Sequence, residues 1–308
     1  MKNMEYSDFK EEVLRELGDF YGSDATVTVS EVVKNNDVRL DGINISFQDD
    51  QRIMPVLYLN GFYEQYADDV KSIPEIVEEI VDLRERGNDP GFDIDEITSL
   101  TKWDKIKDEV YPVLLSTESN RELLKKYVHK EFLDLSVIYI IRLSSNENGM
   151  GSVKITQDMM KGYDGITEDD LHAQALENME KEGYRVQNIL DVLVSMRPDF
   201  VDMDSNEPLN PAEMKGRMFV LSNRCKMYGA AGILNNRLLR SIGRSCFILP
   251  SSVHETIIVP DDEDMSEEAL DNMVDEVNST QLEPQDVLSD HAYYYDYDKD
   301  VLRMRQAA

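Results

Sequence analysis

The chain has 308 residues, of which 41% are hydrophobic, and a formal charge of −30 from 62 Asp and Glu against 32 Lys and Arg. This length and composition predict one large folded domain or two ordinary ones rather than a disordered chain. The negative charge argues against direct nucleic-acid binding, which needs clustered cations, and against docking on an anionic membrane surface.

The sequence carries no signal for export. Its first residues run directly into an amphipathic pattern without the apolar centre of a secretory signal, and no segment approaches the ~20 apolar residues of a membrane span. Cys225 and Cys246 both lie in apolar surroundings, which favours free thiols in a reducing compartment over a disulfide. We therefore expect a cytoplasmic protein without a membrane segment.

The first 90 residues predict a helix, a three-stranded antiparallel meander and a second helix. The first helix follows Ser7, ends at Gly22, and has a buried stripe formed by Phe9, Val13, Leu17 and Phe20. Apolar residues then alternate with polar ones between Ala25 and Leu59, as in paired strands. Ser72 and Glu75 predict a capping box for the second helix, whose buried face is formed by Ile76, Val77, Ile80 and Leu83.

The turn-forming segment Asn88–Gly91 is the predicted boundary between an N-terminal lobe, residues 1–90, and a C-terminal lobe, residues 91–308. The alternative is one continuous domain. Beyond the boundary, strand patterns occur within residues 128–156, 218–221, 247–249, 256–259 and 293–295. Helix patterns begin at Thr167, with Asp170 as its capping partner, at Ala230 and at Ser266. Helices and strands do not alternate regularly, so the sequence predicts an α+β fold of mixed or antiparallel sheets with flanking amphipathic helices, not a doubly wound sheet.

Charge is divided unevenly in the C-terminal third. Residues 214–254 contain no Asp or Glu, and their Lys and Arg residues are Lys215, Arg217, Arg224, Lys226, Arg237, Arg240 and Arg244. Residues 255–298 contain fifteen Asp and Glu and no Lys or Arg. The simpler interpretation is that the basic segment packs inside an acidic shell and relieves its self-repulsion.

The alternative interpretation of the basic segment is an anion site. Arg237, Arg240 and Arg244 follow one another at spacings of three and four, so a helix spanning Ala230–Ile242 and continuing beyond it would place them on one face. Guanidinium groups arranged in this way could hold phosphate or carboxylate. The preceding string, Gly229–Gly232, could bring a ligand near the helix N-terminus, but it matches neither a GxGxxG nor a Walker motif.

Ser251, Ser252 and His254 invite a catalytic interpretation as a nucleophile with its base. No GxSxG elbow surrounds the serines, and Ile258 stands where a zinc-protease HExxH motif needs its second histidine. Serines that cap a turn beside a hydrogen-bonded histidine are therefore the favoured interpretation. The remaining histidines and the two cysteines show no metal-ligand spacing, so we predict neither a metal nor a cofactor.

Several strings of the sequence resemble an uncharacterised bacterial family. They are Tyr228–Leu234, Phe247–Glu255, Val259–Asp261, Val277–Asn278 and Leu288–Tyr293, with further similarity in Phe9–Glu11, Val33–Asn36 and Leu57–Asn60. The resemblance covers nearly the whole chain and implies an acidic cytoplasmic protein of similar length from anaerobic gut bacteria. Tyr111–Val113 and the Thr167 helix are more weakly similar to a second uncharacterised family, found in spore-forming relatives. Neither resemblance supplies an activity.

These patterns favour a non-enzymatic protein that binds another macromolecule, such as a basic protein, through an acidic surface. A DNA-mimic inhibitor is a narrower form of this hypothesis. The competing hypothesis is a hydrolase or phosphate-handling enzyme built from the arginines and the Ser251–His254 segment. The two classes differ in whether those side chains converge on one site.

Overall fold

The computed structural model describes residues 4–47, 56–86, 100–146, 149–190, 192, 218–261 and 267–304. The chain divides into two compact units, residues 1–100 and 101–308. The predicted boundary at Asn88–Gly91, the predicted helix cap Ser266 and two cations of the basic segment, Lys215 and Arg217, lie outside the described residues. Among the helices in the described ranges, none combines the length and apolar character that crossing a bilayer requires.

The described residues of the N-terminal unit form three helices and one small sheet. The helices are α1 (Tyr6–Tyr21), α2 (Leu59–Ala67) and α3 (Ile73–Arg86), and the strands are β1 (Ala25–Val33), β2 (Arg39–Phe47) and β3 (Leu57–Tyr58). The predicted meander is confirmed, because β2 pairs antiparallel with β1 on one side and with β3 on the other. One core cluster includes Phe9, Val13 and Leu17 of α1, Leu59 and Phe62 of α2, Ile76 and Ile80 of α3, and Ile43 of β2.

Two residues predicted to be buried in this unit are exposed. Phe20 lies in the last turn of α1, after Leu17, the last fully buried residue of that helix, and its exposed fraction is 60%. Leu83 has an exposed fraction of 39% because it lies at the margin of the stripe that α3 buries, which also includes Val81 and Arg84. The predicted helical period was correct for both helices. The prediction placed the core too far along α1, and it placed the buried stripe of α3 too far around that helix.

Within its described ranges, the C-terminal unit contains two further sheets and the helices and strands that follow. Its helices are α4 (Trp103–Ile106), α5 (Arg121–Leu124), α6 (Gln157–Lys161), α7 (Glu168–Glu182), α8 (Asn236–Arg240) and α9 (Glu267–Thr280). Its strands are β4 (Val110–Ser116), β5 (His129–Phe132), β6 (Leu135–Asn146), β7 (Gly149–Lys154), β8 (Arg185–Asn188), β9 (Phe219–Ser222), β10 (Cys246–Leu249), β11 (Thr256–Pro260), β12 (Tyr293–Asp296) and β13 (Val301–Met304). Short 3-10 turns cover Asn35–Asp37, Lys107–Glu109, Glu118–Asn120, Gly229–Leu234 and Pro284–Asp286.

Both sheets of the C-terminal unit are antiparallel, which confirms the α+β prediction. The larger sheet has the order β13-β12-β10-β11-β9-β8, and in the smaller one β6 pairs with β4 along one edge and with β5 and β7 along the other. Helix α7 begins with the predicted Thr167–Asp170 capping box and ends at Gly183, whose φ of 86° is left-handed. The sequence did not predict α2 or β13.

Candidate functional site

The helix predicted over residues 230–242 does not form as one piece. A 3-10 segment, Gly229–Leu234, is followed by an extended Asn235 and then by the short helix α8. The Asn235 side chain accepts a hydrogen bond from the backbone N–H of Arg237, so this residue starts a new helix instead of continuing the old one. Gly243, with φ 80°, turns the chain before Arg244. The three arginines therefore do not share one helix face, and that expectation was wrong.

Two of the arginines face carboxylates of their own unit. A guanidinium nitrogen of Arg237 lies 3.5 Å from Glu180. Arg240 stacks 4.8 Å from the Tyr297 ring centroid, donates to the Tyr297 carbonyl at 3.4 Å, and lies 3.8 Å from Asp300. These contacts agree with the simpler interpretation, in which the basic segment packs against acidic residues of the same protein. An anion site at the three arginines stays a prediction.

His254 is held in one tautomer by its neighbours. The backbone N–H of Tyr228 donates to Nδ1 at 3.2 Å, which assigns the proton of the neutral ring to Nε2. Nε2 faces Asp286 Oδ1 at 3.4 Å, and the Tyr228 ring lies against the imidazole with centroids 5.6 Å apart. The ring nitrogen that could accept a proton is therefore already occupied by a backbone donor. This arrangement positions the imidazole but leaves no ring nitrogen free to accept a proton from a serine hydroxyl.

Ser251 and Ser252 lie beside His254 in the fold, each with an exposed fraction of 5%. The Ser252 hydroxyl accepts from the backbone N–H of His254 at 3.0 Å, as a turn-capping serine does. The Ser251 carbonyl accepts from the N–H of Leu288 at 2.8 Å. The contacts found for these residues are those of a braced turn, whereas nucleophilic catalysis stays an untested alternative.

Gly229 allows the loop at residue 228 to approach this turn closely. A Cβ atom at Gly229 would lie 2.4 Å from the Ser222 hydroxyl and 2.5 Å from the His254 carbonyl. Tyr228 itself takes a left-handed backbone, with φ 57°. A glycine at 229 is thus required for the Tyr228–His254 contact to form.

A second histidine cluster was not found by sequence reasoning. The Tyr293 ring is fully buried, and its hydroxyl donates to Asp134 Oδ1 at 2.5 Å. Burial and this hydrogen bond to a carboxylate raise the pKa of Tyr293. The His291 imidazole lies between two carboxylates, with Nδ1 2.8 Å from Asp290 and Nε2 3.4 Å from Asp134. Ser289, Asp290, His291 and Tyr293 are close in sequence, but Asp134 lies more than 150 residues away, so no local pattern could reveal the cluster.

A third cluster contains a buried ion pair and a free cysteine. Arg142 and Glu182 pair at 2.7 Å, and their side chains are only 16% and 6% exposed. The Arg142 guanidinium stacks 3.8 Å from the centroid of the Tyr111 ring, and the Cys225 thiol donates to Glu182 at 3.2 Å. Burial raises the pKa of Cys225, which keeps the thiol protonated and unreactive. The geometry is that of a structural brace between β6, α7 and the loop after β9.

The outward side of α1 presents a row of carboxylates. Asp8, Glu11, Glu12 and Asp19 recur at spacings that place them on one helix face, which we call the α1 carboxylate face. The only cation on that face is Arg15, which pairs with Glu12 at 2.6 Å, with Asp19 at 3.0 Å and with the neighbouring Glu16 at 3.3 Å. Among the described residues, no ion pair involves Asp8 or Glu11. Negative charge on this face is therefore only partly neutralised.

The described residues contain no group of three or more His, Cys, Asp or Glu side chains arranged to hold a metal ion. No curated protein and no solved structure matches the chain significantly. One family model matches residues 6–297, nearly the whole chain, and includes both histidine clusters, the buried ion pair and the α1 carboxylate face. The chain belongs to this family, the family of unknown function DUF5688.

Proposed function

We propose that this protein is a non-enzymatic cytoplasmic protein that binds a basic protein partner through the acidic surface of its N-terminal unit. Residues 1–100 contain 24 Asp and Glu against 9 Lys and Arg, which is a formal charge of −15. Half of the net charge thus belongs to one third of the chain. Concentrated charge of one sign attracts an oppositely charged partner and accelerates the encounter.

The α1 carboxylate face is the observation that carries this proposal. Its acids lie on a regular helix whose opposite side is packed in the core, so their spacing is fixed rather than variable. A fixed row of partly neutralised carboxylates complements Lys or Arg side chains on a partner. In contrast, Arg237 and Arg240 in the C-terminal unit each face a carboxylate of that unit.

The cytoplasmic location is supported by the two cysteines, both of which are free thiols. The resemblance of the sequence to acidic proteins of anaerobic gut bacteria supports a bacterial origin. No catalytic step is assigned, because the imidazole of His254 has its basic nitrogen occupied by the Tyr228 N–H.

The test compares two full-length variants that lose the same number of negative charges. The first neutralises the α1 carboxylate face with Asp8→Asn, Glu11→Gln, Glu12→Gln and Asp19→Asn. The control neutralises four exposed acids of the C-terminal unit with Glu131→Gln, Asp275→Asn, Glu276→Gln and Glu283→Gln. Binding of a labelled peptide of alternating Lys and Ser is measured by fluorescence anisotropy, and circular dichroism verifies that each variant is folded.

We expect the α1 variant to bind the peptide at least about tenfold more weakly than the wild type, because four contacts that are individually weak are removed together. We expect the control variant to stay within about twofold of the wild type, since it leaves every carboxylate of the α1 carboxylate face in place. Equal losses in the two variants would show that only the bulk charge attracts the peptide, and the proposal would then be abandoned.

A further inference from the structure

The C-terminal end of α1 carries an exposed aromatic ring connected to the core. Phe20 is the only aromatic side chain among the exposed large hydrophobic residues of the described ranges. Its ring meets the Tyr21 ring edge to face, with centroids 5.0 Å apart, and Tyr21 meets Phe47 of β2 in the same way at 5.5 Å. Tyr21 also packs against the core cluster of the N-terminal unit. We call these three residues the aromatic end of α1.

The exposed ring of this aromatic end packs on a second ring that belongs to the edge of the core, which distinguishes it from an isolated surface hydrophobe. Isolated exposed apolar side chains are common and need no explanation. Here the exposed ring is the outermost of three rings in a row, since Phe20 packs on Tyr21 and Tyr21 packs on Phe47, so one edge of the Phe20 ring is supported before any partner arrives. A rigid aromatic side chain loses little conformational entropy on binding, and such residues often dominate the binding energy of an interface.

The surroundings of Phe20 are negative. Glu16 lies one helical turn before it and Asp19 directly precedes it, with side chains 31% and 74% exposed. Both carboxylates contact Arg15, which also contacts Glu12, so three carboxylates share one guanidinium and the cluster keeps a net negative charge. The last turn of α1 contains no basic residue of its own, so the partial negative charge at the C-terminal end of the helix adds to the net negative charge of this cluster. An apolar surface inside a negative rim complements a side chain with an apolar stem and a cationic head, which is a Lys or Arg.

The N-terminal unit already contains this kind of contact. The Arg84 guanidinium lies 5.3 Å from the centroid of the Phe47 ring, and Lys34 lies 4.4 Å from that of Tyr58. Cation–π attraction requires a ring face that a cation can reach, and it becomes stronger when the contact is shielded from water. Of the three rings of the aromatic end, Phe20 is the one that is mostly exposed.

We infer that the aromatic end of α1 is the apolar anchor of the acidic surface, and that it docks a cationic amphipathic segment of the partner, with a Lys or Arg over Phe20 and apolar side chains beside it. This inference rests on the proposed function and adds to it the chemistry of the partner. The α1 carboxylate face supplies attraction, and the aromatic end supplies selection for segments that carry apolar residues between their cations.

The experiment uses two labelled peptides of equal length and charge with the full-length protein. One peptide alternates Lys with Ser, and the other places Lys and Leu so that they form an amphipathic helix. The variants are Phe20→Ala, Phe20→Leu as the conservative replacement, and Val70→Ala as a control at another exposed hydrophobic residue, which is 65% exposed. Circular dichroism and the unfolding midpoint verify that each variant is folded.

We expect the wild type to bind the Lys/Leu peptide at least about tenfold more tightly than the Lys/Ser peptide, because contact with Phe20 removes apolar area from water. Phe20→Ala should lose most of this preference and should weaken binding of the Lys/Ser peptide by no more than about fivefold, because that peptide loses a cation–π contact but no apolar contact. Phe20→Leu should keep part of the preference, and Val70→Ala should keep it all. An unchanged preference in Phe20→Ala would overturn the inference while leaving the proposed function intact. Failure of both peptides to bind the wild type would instead remove the proposed function.

Discussion

Replacing Glu182 by Gln should destabilise the C-terminal unit strongly, although the two side chains have nearly the same shape. The carboxylate is paired with Arg142 at 2.7 Å, and only 6% of its side chain is exposed. The neutral amide would leave a cation that is 16% exposed without its hydrogen-bonded counter-charge. The Tyr111 ring and the more distant charge of Glu109 would be the remaining favourable interactions of the guanidinium. The thiol of Cys225 would lose its charged acceptor in the same step.

Breaking one partner of a buried ion pair typically costs about 3–5 kcal/mol, because the other charge stays buried and uncompensated. For a unit of this size, each kcal/mol lowers the unfolding midpoint by roughly 2–4 °C, so we expect a decrease of roughly 6–20 °C. Glu177→Gln is the matched control. Its side chain and that of its partner Lys181 are 60% and 61% exposed, so solvent screens the pair and its loss should leave the midpoint nearly unchanged.

Trp103 makes the measurement specific to the C-terminal unit. It is the only tryptophan of the chain, it lies in the unit that contains residues 101–308, and its ring packs 5.8 Å from that of Tyr163. Thermal unfolding and urea unfolding, both followed by Trp fluorescence, therefore report on the unit that holds the ion pair. Equal losses of stability for Glu182→Gln and Glu177→Gln would refute the reasoning. The double variant Arg142→Met, Glu182→Leu should recover most of the stability, because it removes both buried charges.

Three other results follow from the structure. Tyr293→Phe should lower the free energy of unfolding by about 1–3 kcal/mol in the same urea assay, because Asp134 loses a buried donor, and a change below ~0.5 kcal/mol would contradict this role. Gly229→Ala should lower the free energy of unfolding by more than ~2 kcal/mol, because its Cβ would meet backbone atoms. The control is Gly61→Ala in α2, where the space around the Cβ is open, and it should be neutral or stabilising by up to ~1 kcal/mol. The free energy of unfolding should fall as pH rises above about 9. Burial raises the pKa of Cys246 to about 12 in the folded protein, whereas the unfolded thiol ionises near about 8.5. Between these two values the unfolded state binds fewer protons than the folded state, so a rise in pH favours unfolding. Unfolding midpoints measured between about pH 7 and 10 would test this direction, and a rise would contradict it.

The local elements of the fold were predictable because their signals are local. The Thr167–Asp170 box sets the start of α7, and the glycines at 22 and 183 end their helices where the periodic pattern stops. The meander between Ala25 and Leu59 follows from alternation and turn residues alone. Each of these features depends on residues no more than a few positions apart.

The errors arose where tertiary contacts decided the outcome. Phe20 continues the helical period of α1 but lies past the end of the core, which no periodicity reports. Asn235 prefers to cap a new helix, so the predicted continuous helix through the arginines is broken there. Ser252 and His254, two residues of the site suggested by sequence, do touch, but through a backbone N–H instead of the imidazole.

The polar clusters of the C-terminal unit were beyond sequence reasoning for a different reason. Tyr293 meets Asp134, and Glu182 meets both Arg142 and Cys225, across separations of tens of residues or more. A single acid or tyrosine in a strongly acidic sequence gives no indication of which partner it will find. These contacts become visible only after the two sheets have been assembled.

The most direct test of the account is the salt dependence of binding to the Lys/Ser peptide, measured for the wild type and the two charge-neutralised variants between about 50 and 200 mM NaCl. If the α1 carboxylate face makes the contacts, the slope of log affinity against log salt should become clearly shallower in the variant that neutralises it, and should not change in the C-terminal control. Parallel slopes for all three proteins would contradict the claim that a defined face of the N-terminal unit recognises a cationic partner.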